Sequence, residues 1–146
     1  MRFCSSLSAL LHIHRSFWVY LRRSVHVTIR ETVRLELMRE GGLNDLELQG
    51  EMNVQISDPA LAQVKFLLAP APTTYGPELQ FKQHPHIGKF VANRDRVIAF
   101  KDASRSFAVG QSLTVLKWRY AGKDETYVPL SSKFPILEIK FARVQD

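Results

Sequence analysis

Apolar and polar residues alternate with a period of two along much of this chain, beginning at residue 25. The first such stretch has apolar residues at alternate positions: Val25, Val27, Ile29, Val33, Leu35 and Leu37. Alternation of this kind is typical of strands that have one buried face and one exposed face. We therefore expect residues 25–37 to form half-buried β-structure.

Turn signals divide the chain into further short strands. Gly41 and Gly42 predict a hairpin turn, because glycine adopts positive φ without steric cost. In the return strand that follows, Gly50 predicts a bulge or a twist. Other predicted strands cover residues 64–68, 79–84, 96–101, 115–120 and 126–130, and an alternating tail at 137–141 could pair as another. Such spacing, with no helical period in residues 25–130, predicts an all-β antiparallel sandwich.

The strand Val115–Tyr120 places Trp118 between two cations. A tryptophan in this setting is either a core anchor or part of an aromatic and cationic surface. We favour the core anchor, because successive side chains of a strand point to opposite faces. Lys117 and Arg119 should then face solvent.

Residues 1–24 differ from the rest of the chain. They carry four arginines and no acid, and His12, His14 and Arg15 interrupt an otherwise apolar run, which argues against a membrane-spanning helix. The segment is similar to a weak signal peptide or a transit peptide, or is an accidental leader from a wrong gene start. We expect it to be a helical leader.

The net charge of +6 is unevenly distributed. Residues 25–58 hold three basic and seven acidic side chains, whereas residues 59–130 hold ten and five. The second half is therefore a candidate electropositive face, suited to acidic peptides or anionic headgroups. Our candidates for binding a peptide or a partner are Lys82, Lys89, Arg96, Lys101, Lys117 and Arg119. The aromatic residues among them are expected in the core: Phe81, Phe90, Phe100, Phe107, Trp118, Tyr120 and Tyr127.

No catalytic, metal or cofactor site is expected. His84-Pro85-His86 has metal-like spacing, but too few further ligands accompany it, and we interpret it as a loop edge. The one cysteine, Cys4, lies in the leader, and no G-x-S-x-G elbow or phosphate loop is present. The carboxylates are expected on solvent faces of strands. The sequence thus predicts a protein that is not an enzyme.

Four stretches carry a resemblance to a known family: VHVTIRETVRLELMREGGLNDLELQGEMNVQISDP, FKQHPHIGKFV, VIAFKDASRSFAVGQSLTVLKWRY and ETYVPL. In this order they resemble the start of the C-terminal mu homology domain of coatomer delta subunits. The resemblance implies a cytosolic, non-enzymatic subunit of the COPI vesicle coat, acting in Golgi-to-ER retrograde and intra-Golgi transport at the Golgi membrane and on vesicles. It also implies two kinds of partner, other coatomer subunits and acidic tryptophan-bearing peptides of tethers or regulators, and no nucleic acid.

The resemblance covers about residues 25–130 and departs from the family at both ends. We therefore expect residues 1–24 to be a leader, residues 25–130 a partial mu homology domain and residues 131–146 a divergent tail. The implied protein is truncated and has unrelated ends. Two alternatives stay open at this stage: a secreted or organellar β-sandwich with a cleaved signal, and an RNA-binding β module with exposed stacking aromatics.

Overall fold

The computed structural model describes residues 9–21, 24–68, 78–91, 96–123 and 139–142, of which 9–21 and 139–142 are described for their backbone alone. These residues form β-strands and one short 3-10 helix. The strands are β1 (Ala9–Leu21), β2 (Val25–Leu37), β3 (Leu43–Ile56), β4 (Lys65–Leu68), β5 (Gln80–Gln83), β6 (Val97–Ile98), β7 (Ser112–Gly122) and β8 (Ile139–Ala142).

The strands form two antiparallel sheets. The large sheet has the order β1-β2-β3-β7-β5, and the small sheet has the order β6-β4-β8. The predicted all-β antiparallel architecture is confirmed. The tail strand predicted at 137–141 is observed as β8, which joins the small sheet, whereas the strand predicted at 126–130 lies outside the described residues.

The hairpin that joins β2 to β3 has the predicted glycine turn. Gly41 and Gly42 both have a φ of 94°. The backbone N–H of Met38 donates to the carbonyl of Gly42 over 3.1 Å, and the N–H of Gly41 donates to the carbonyl of Met38 over the same distance. This turn fixes the register in which β3 returns along β2.

The helical leader predicted for residues 1–24 is wrong over residues 9–21. This segment is strand β1, which pairs with β2 from Ala9 opposite Leu37 to Leu21 opposite Val25. Its apolar residues also alternate with a period of two at Leu11, Ile13, Phe17, Val19 and Leu21. The free hydrogen-bonding edge of β2 satisfies the backbone of β1, and a composition argument does not detect that partner. Residues 1–8 and 22–23 lie outside the described residues.

The one helical element of the described residues is the 3-10 helix Pro59–Leu61. Asp58 caps it, because its carboxylate Oδ1 accepts a hydrogen bond from the Ala60 backbone N–H over 2.9 Å. Nowhere in the described part of the chain is there a helix long and apolar enough to cross a bilayer.

Both sheets contribute to one hydrophobic core. The most deeply buried side chains include Val27, Leu46 and Ile56 of the large sheet and Phe66 and Ile98 of the small sheet. Burial of each large apolar side chain stabilises the fold by about 1.5–3 kcal/mol.

Contacts between aromatic rings join the segment that connects β6 to β7 with strand β4. The ring of Phe107 makes edge contacts with Phe66 and Phe100, at centroid distances of 5.9 and 4.9 Å. The predicted core placement is confirmed for the aromatics that are buried or packed against the core: Phe81, Phe90, Phe100, Phe107, Trp118 and Tyr120. Tyr127 lies outside the described residues.

Candidate functional site

Strand β7 alternates between the core and the exposed face of the large sheet at the position of its tryptophan. Trp118 is 6% exposed, whereas Lys117 and Arg119 are exposed. The sequence prediction that Trp118 is a core anchor between two outward-facing cations is confirmed. The same strand therefore contributes its ring to the core and its charges to the surface.

The indole of Trp118 crosses a neighbouring strand to reach a buried carboxylate. Gly50 of β3 lies opposite Trp118 on one side and opposite Glu31 of β2 on the other. The indole Nε1–H donates to Oε1 of Glu31 over 3.1 Å. A Cβ atom added at Gly50 would collide with the indole, so the ring occupies the space that a side chain at this position would fill.

The expected solvent placement of the carboxylates is wrong for Glu31, and the bulge expected as one of two alternatives at Gly50 is not found there. The carboxylates were expected on solvent faces, but Glu31 is 3% exposed because it occupies a core position in the alternation of β2. Gly50 predicts a bulge or a twist, and the bulge is not at Gly50, because the register shift between β3 and β7 lies between Met52 and Asn53. The glycine permits close approach of the ring instead, which is the other common reason for glycine inside a strand.

The exposed face of the large sheet carries charged and polar side chains in cross-strand rows. In one row, Arg30, Glu51, Lys117 and Lys82 follow one another across β2, β3, β7 and β5. In the adjacent row, Thr32, Gln49, Arg119 and Gln80 occupy the same four strands. These eight residues, with Glu31, Gly50, Phe81 and Trp118 at its floor, line a groove of about 750 Å³, which we call the cationic groove.

Arg119 is the one cation of the groove that is neutralised by a close carboxylate. Its Nη2 lies 2.9 Å from Oε1 of Glu47, and its Nε donates to the same oxygen over 3.1 Å. The Gln49 side-chain amide also donates to this oxygen, over 2.8 Å. The pKa of Glu47 is held below its ordinary value, chiefly by the hydrogen bond from Gln49. The hydrogen bonds and the positive charge of Arg119 lower it further, as does the charge of Arg34.

The six predicted binding cations separate into two sets. Lys82, Lys117 and Arg119 converge on the cationic groove. The other three, Lys89, Arg96 and Lys101, do not line it. These three residues belong to the segments that connect the sheets. There the backbone N–H of Lys101 donates to the carbonyl of His86, and the backbone carbonyl of Arg96 accepts from the N–H of Leu68, each over 2.9 Å. Sequence order could not separate the two sets, because strand pairing decides which cations meet.

Arg30 is a groove cation that the sequence argument missed. It belongs to residues 25–58, whose excess of acidic side chains does not predict an electropositive face. Its polar position in the alternation of β2, on the face opposite Ile29, was the available signal. Pairing of β2 with β3 brings it to the groove.

The His84-Pro85-His86 turn lies at the end of β5. The ring centroids of its histidines are 5.4 Å apart, and Nδ1 of His84 accepts a hydrogen bond from the backbone N–H of His86 over 3.2 Å. In the described ranges no group of three or more His, Cys, Asp or Glu side chains could hold a metal ion.

Comparison with known proteins gives the family. The sequence model of the adaptor complexes medium subunit family matches residues 15–141. The chain is 37% identical over 108 residues to coatomer subunit delta-1 of Oryza sativa subsp. japonica, and 32% identical over 108 residues to coatomer subunit delta of Saccharomyces cerevisiae. These matches cover 73% and 72% of this chain and 20% of each relative, so the chain spans about a fifth of their length.

Two solved structures have a similar fold. The yeast delta-COP-I mu-homology domain superposes with a TM-score of 0.66 at 30% identity, over 76% of this chain and 43% of that one. The same domain complexed with a Dsl1 WxWxV peptide gives a TM-score of 0.65 at 30% identity, over 76% of this chain and 44% of that one. With the two antiparallel sheets described above, the matches show that this chain has the fold of part of a mu-homology domain. The chain belongs to the adaptor complexes medium subunit family.

Proposed function

We propose that this protein acts as part of a COPI vesicle coat, as a non-enzymatic coatomer delta subunit that binds peptides and other coat subunits. The observation that carries the proposal is the similarity in fold and sequence to a mu-homology domain that has been seen with a bound Dsl1 WxWxV peptide. The identity to coatomer delta subunits over 108 residues supports the same role. The proposed work is recognition, not catalysis.

The proposed place of action follows from the same relatives. As a coat subunit the protein would work in the cytoplasm, on the cytosolic face of the Golgi membrane and on COPI vesicles. Its transport steps would be Golgi-to-ER retrograde and intra-Golgi transport. We also propose that the chain divides into three segments, in which residues 25–130 are the partial mu homology domain and residues 1–24 and 131–146 flank it.

The proposed peptide site is the cationic groove, with Lys82, Lys117 and Arg119 as its cations. An acidic peptide segment that carries tryptophan would place carboxylates against these side chains through charge-assisted hydrogen bonds. Lys89, Arg96 and Lys101, which lie outside the groove, stay predicted contacts for a peptide or a partner. The buried Trp118 would support the groove floor without touching the ligand directly.

The test is calorimetric titration of the whole 146-residue chain with an acidic peptide that contains the WxWxV motif. Circular dichroism comes first, to establish a cooperative thermal transition. We expect saturable binding that weakens at least about tenfold in the Lys117→Glu/Arg119→Glu variant, since each change reverses a charge at the groove. Absence of binding by a cooperatively folded wild-type chain would remove peptide capture from the proposal.

A matched control separates a local from a general charge effect. Lys65 and Lys123 are exposed and do not line the groove. The Lys65→Glu/Lys123→Glu variant has the same net charge as the groove variant and should keep the wild-type affinity. Equal weakening in both variants would assign binding to the overall charge of the protein and not to the groove.

The RNA-binding alternative loses its structural basis in the described residues. A single-stranded RNA platform needs exposed aromatic rings on which bases stack. Of the aromatic residues beside the groove cations, Trp118 and Tyr120 are buried, at 6% and 2% exposed, and Phe81 is partly buried against the core.

A further inference from the structure

Two lysines face each other directly at the edge of the cationic groove. Lys82 of β5 is the cross-strand partner of Lys117 of β7, and both side chains are exposed. Side chains opposite each other on an antiparallel pair have Cβ atoms about 4.5–5.5 Å apart, and like charges in this position are destabilising. The fold therefore maintains a pair of positive charges that repel each other.

Neither nearby carboxylate makes a close ion pair with these lysines. Glu47 is bound to Arg119, whose Nη2 lies 2.9 Å from its Oε1. Glu51, which lies opposite Lys117 on its other side, accepts a hydrogen bond from the Asn53 side-chain amide over 3.1 Å. Within the described residues neither Lys82 nor Lys117 has an ion-pair partner. The cross-strand row of Arg30, Glu51, Lys117 and Lys82 thus holds three positive charges and one negative charge, a net charge of +2.

The lining of the groove supplies further groups that can bind an anion. Arg30 contributes a third cation, and Thr32, Gln49 and Gln80 add neutral hydrogen-bonding groups. The exposed large apolar side chains of the described chain are Leu37, Met38, Leu67, Val97 and Val109, and none of them lines the groove. A membrane surface would be engaged by basic residues together with apolar side chains that insert among the lipids. At the groove the apolar residues Phe81 and Trp118 form the floor, and none of these exposed apolar side chains is placed to insert among lipids.

We propose that Lys82 and Lys117 form a subsite for a phosphate monoester, carried by a phosphorylated serine or threonine of a bound peptide. A phosphorylated side chain has a charge of about −1.5 to −2 at neutral pH and three strong acceptor oxygens, so one group compensates both ammonium groups. A carboxylate compensates only one of them. The proposal rests on the peptide-binding function proposed above and adds to it a preference for the phosphorylated form.

The test compares matched peptides on the whole chain. A WxWxV peptide is prepared in three forms, with serine, phosphoserine or aspartate at one flanking position, and the flanking position is scanned on both sides of the motif. At the best position, phosphoserine should tighten the dissociation constant at least about tenfold relative to serine, and aspartate should give a smaller gain. The preference should shrink as salt increases.

Variants identify the residues responsible. Lys82→Gln/Lys117→Gln should abolish the difference between phosphoserine and serine, and its melting temperature should be equal to or above that of wild type because the repulsion is removed. Lys65→Gln/Lys123→Gln removes the same charge elsewhere and should keep the difference. If the wild type binds serine and phosphoserine peptides equally, the subsite is refuted while the proposed function stands.

An experiment without peptide tests the phosphate subsite separately from the proposed peptide binding. Inorganic phosphate is titrated into the chain and compared with acetate at equal ionic strength, while NMR follows the lysine ε-methylene signals. Phosphate should shift the signals of Lys82 and Lys117 and leave Lys65 unchanged; absence of these shifts would refute the subsite whatever the peptide result. Binding to phosphatidylserine vesicles that depends on Lys82 and Lys117, without discrimination between the peptides, would assign the pair to a membrane and overturn the proposal.

Discussion

Trp118 and Glu31 are 87 residues apart in sequence and form a buried hydrogen bond of 3.1 Å across Gly50. The contact joins β7 to β2 although β3 lies between them. Because the ring lies over a glycine, the polar end of the indole reaches an acceptor in the core. The pair underlies the floor of the cationic groove.

Loss of the Glu31 acceptor should destabilise the fold. Glu31→Ala would leave the buried indole N–H without this partner, which costs about 1–3 kcal/mol in the free energy of unfolding. Glu31→Gln keeps an acceptor oxygen and should recover part of that cost. Urea denaturation gives the values. Glu40→Ala, at an exposed turn position, serves as control and should change stability by no more than about 0.5 kcal/mol. Equal stability of Glu31→Ala and Glu40→Ala would contradict the structural role.

A methyl group at Gly50 should displace the indole. Its Cβ would meet the Trp118 ring, so Gly50→Ala should cost about 1–3 kcal/mol through overpacking. Gly88→Ala is the matched control, because its Cβ would have an ordinary contact of 3.6 Å with the Ala99 carbonyl oxygen. Thermal melting and tryptophan fluorescence measure the two effects, in a Trp18→Phe background that leaves Trp118 as the sole indole. An unchanged emission spectrum in Gly50→Ala would mean that the ring does not occupy this space.

The Glu47–Arg119 pair predicts a pH dependence of stability. The folded pKa of Glu47 is lowered from an ordinary value of 4.5, so its contribution is present above that pH and is lost as pH falls through the folded pKa. Since Arg119 is 63% exposed, solvent screening limits the contribution to about 0.2–1 kcal/mol. The difference in stability between wild type and Glu47→Gln should thus be largest at neutral pH and vanish in acid. Urea denaturation from neutral pH to below pH 4 tests this; a difference that grows with acidification would show the opposite sign of linkage.

Replacing one lysine of the facing pair with an acid should stabilise the sheet. Lys82→Glu places opposite charges on a directly paired cross-strand position, for an expected gain of about 0.2–1 kcal/mol. The gain should disappear in a Lys117→Gln background and diminish at high salt. A double-mutant cycle measured by chemical denaturation supplies the coupling. Zero coupling at low salt would mean that the two side chains do not interact.

The resemblance and the alternation of apolar residues together anticipated most of the fold. The period of two identified β2, the glycine pair located the hairpin, and the position of Trp118 between two cations gave the correct faces of β7. These features depend on local geometry, so a single segment is enough to specify them. The same alternation is present in residues 9–21, but their basic, acid-free composition favours a leader, and only the pairing with β2 shows that they form a strand.

The sequence by itself therefore determined the class of fold and the outward direction of the cations, since both follow from the two-residue period of a strand. Only the tertiary structure decided which side chains meet. Strand register places Lys82 opposite Lys117 and Arg30 at the groove. It also brings Glu47 close enough to Arg119 to form an ion pair. Register and strand order also turn Glu31 into the buried acceptor of Trp118. The physical reason is that cross-strand contacts join residues distant in the chain, so no local pattern of charge or hydrophobicity contains them.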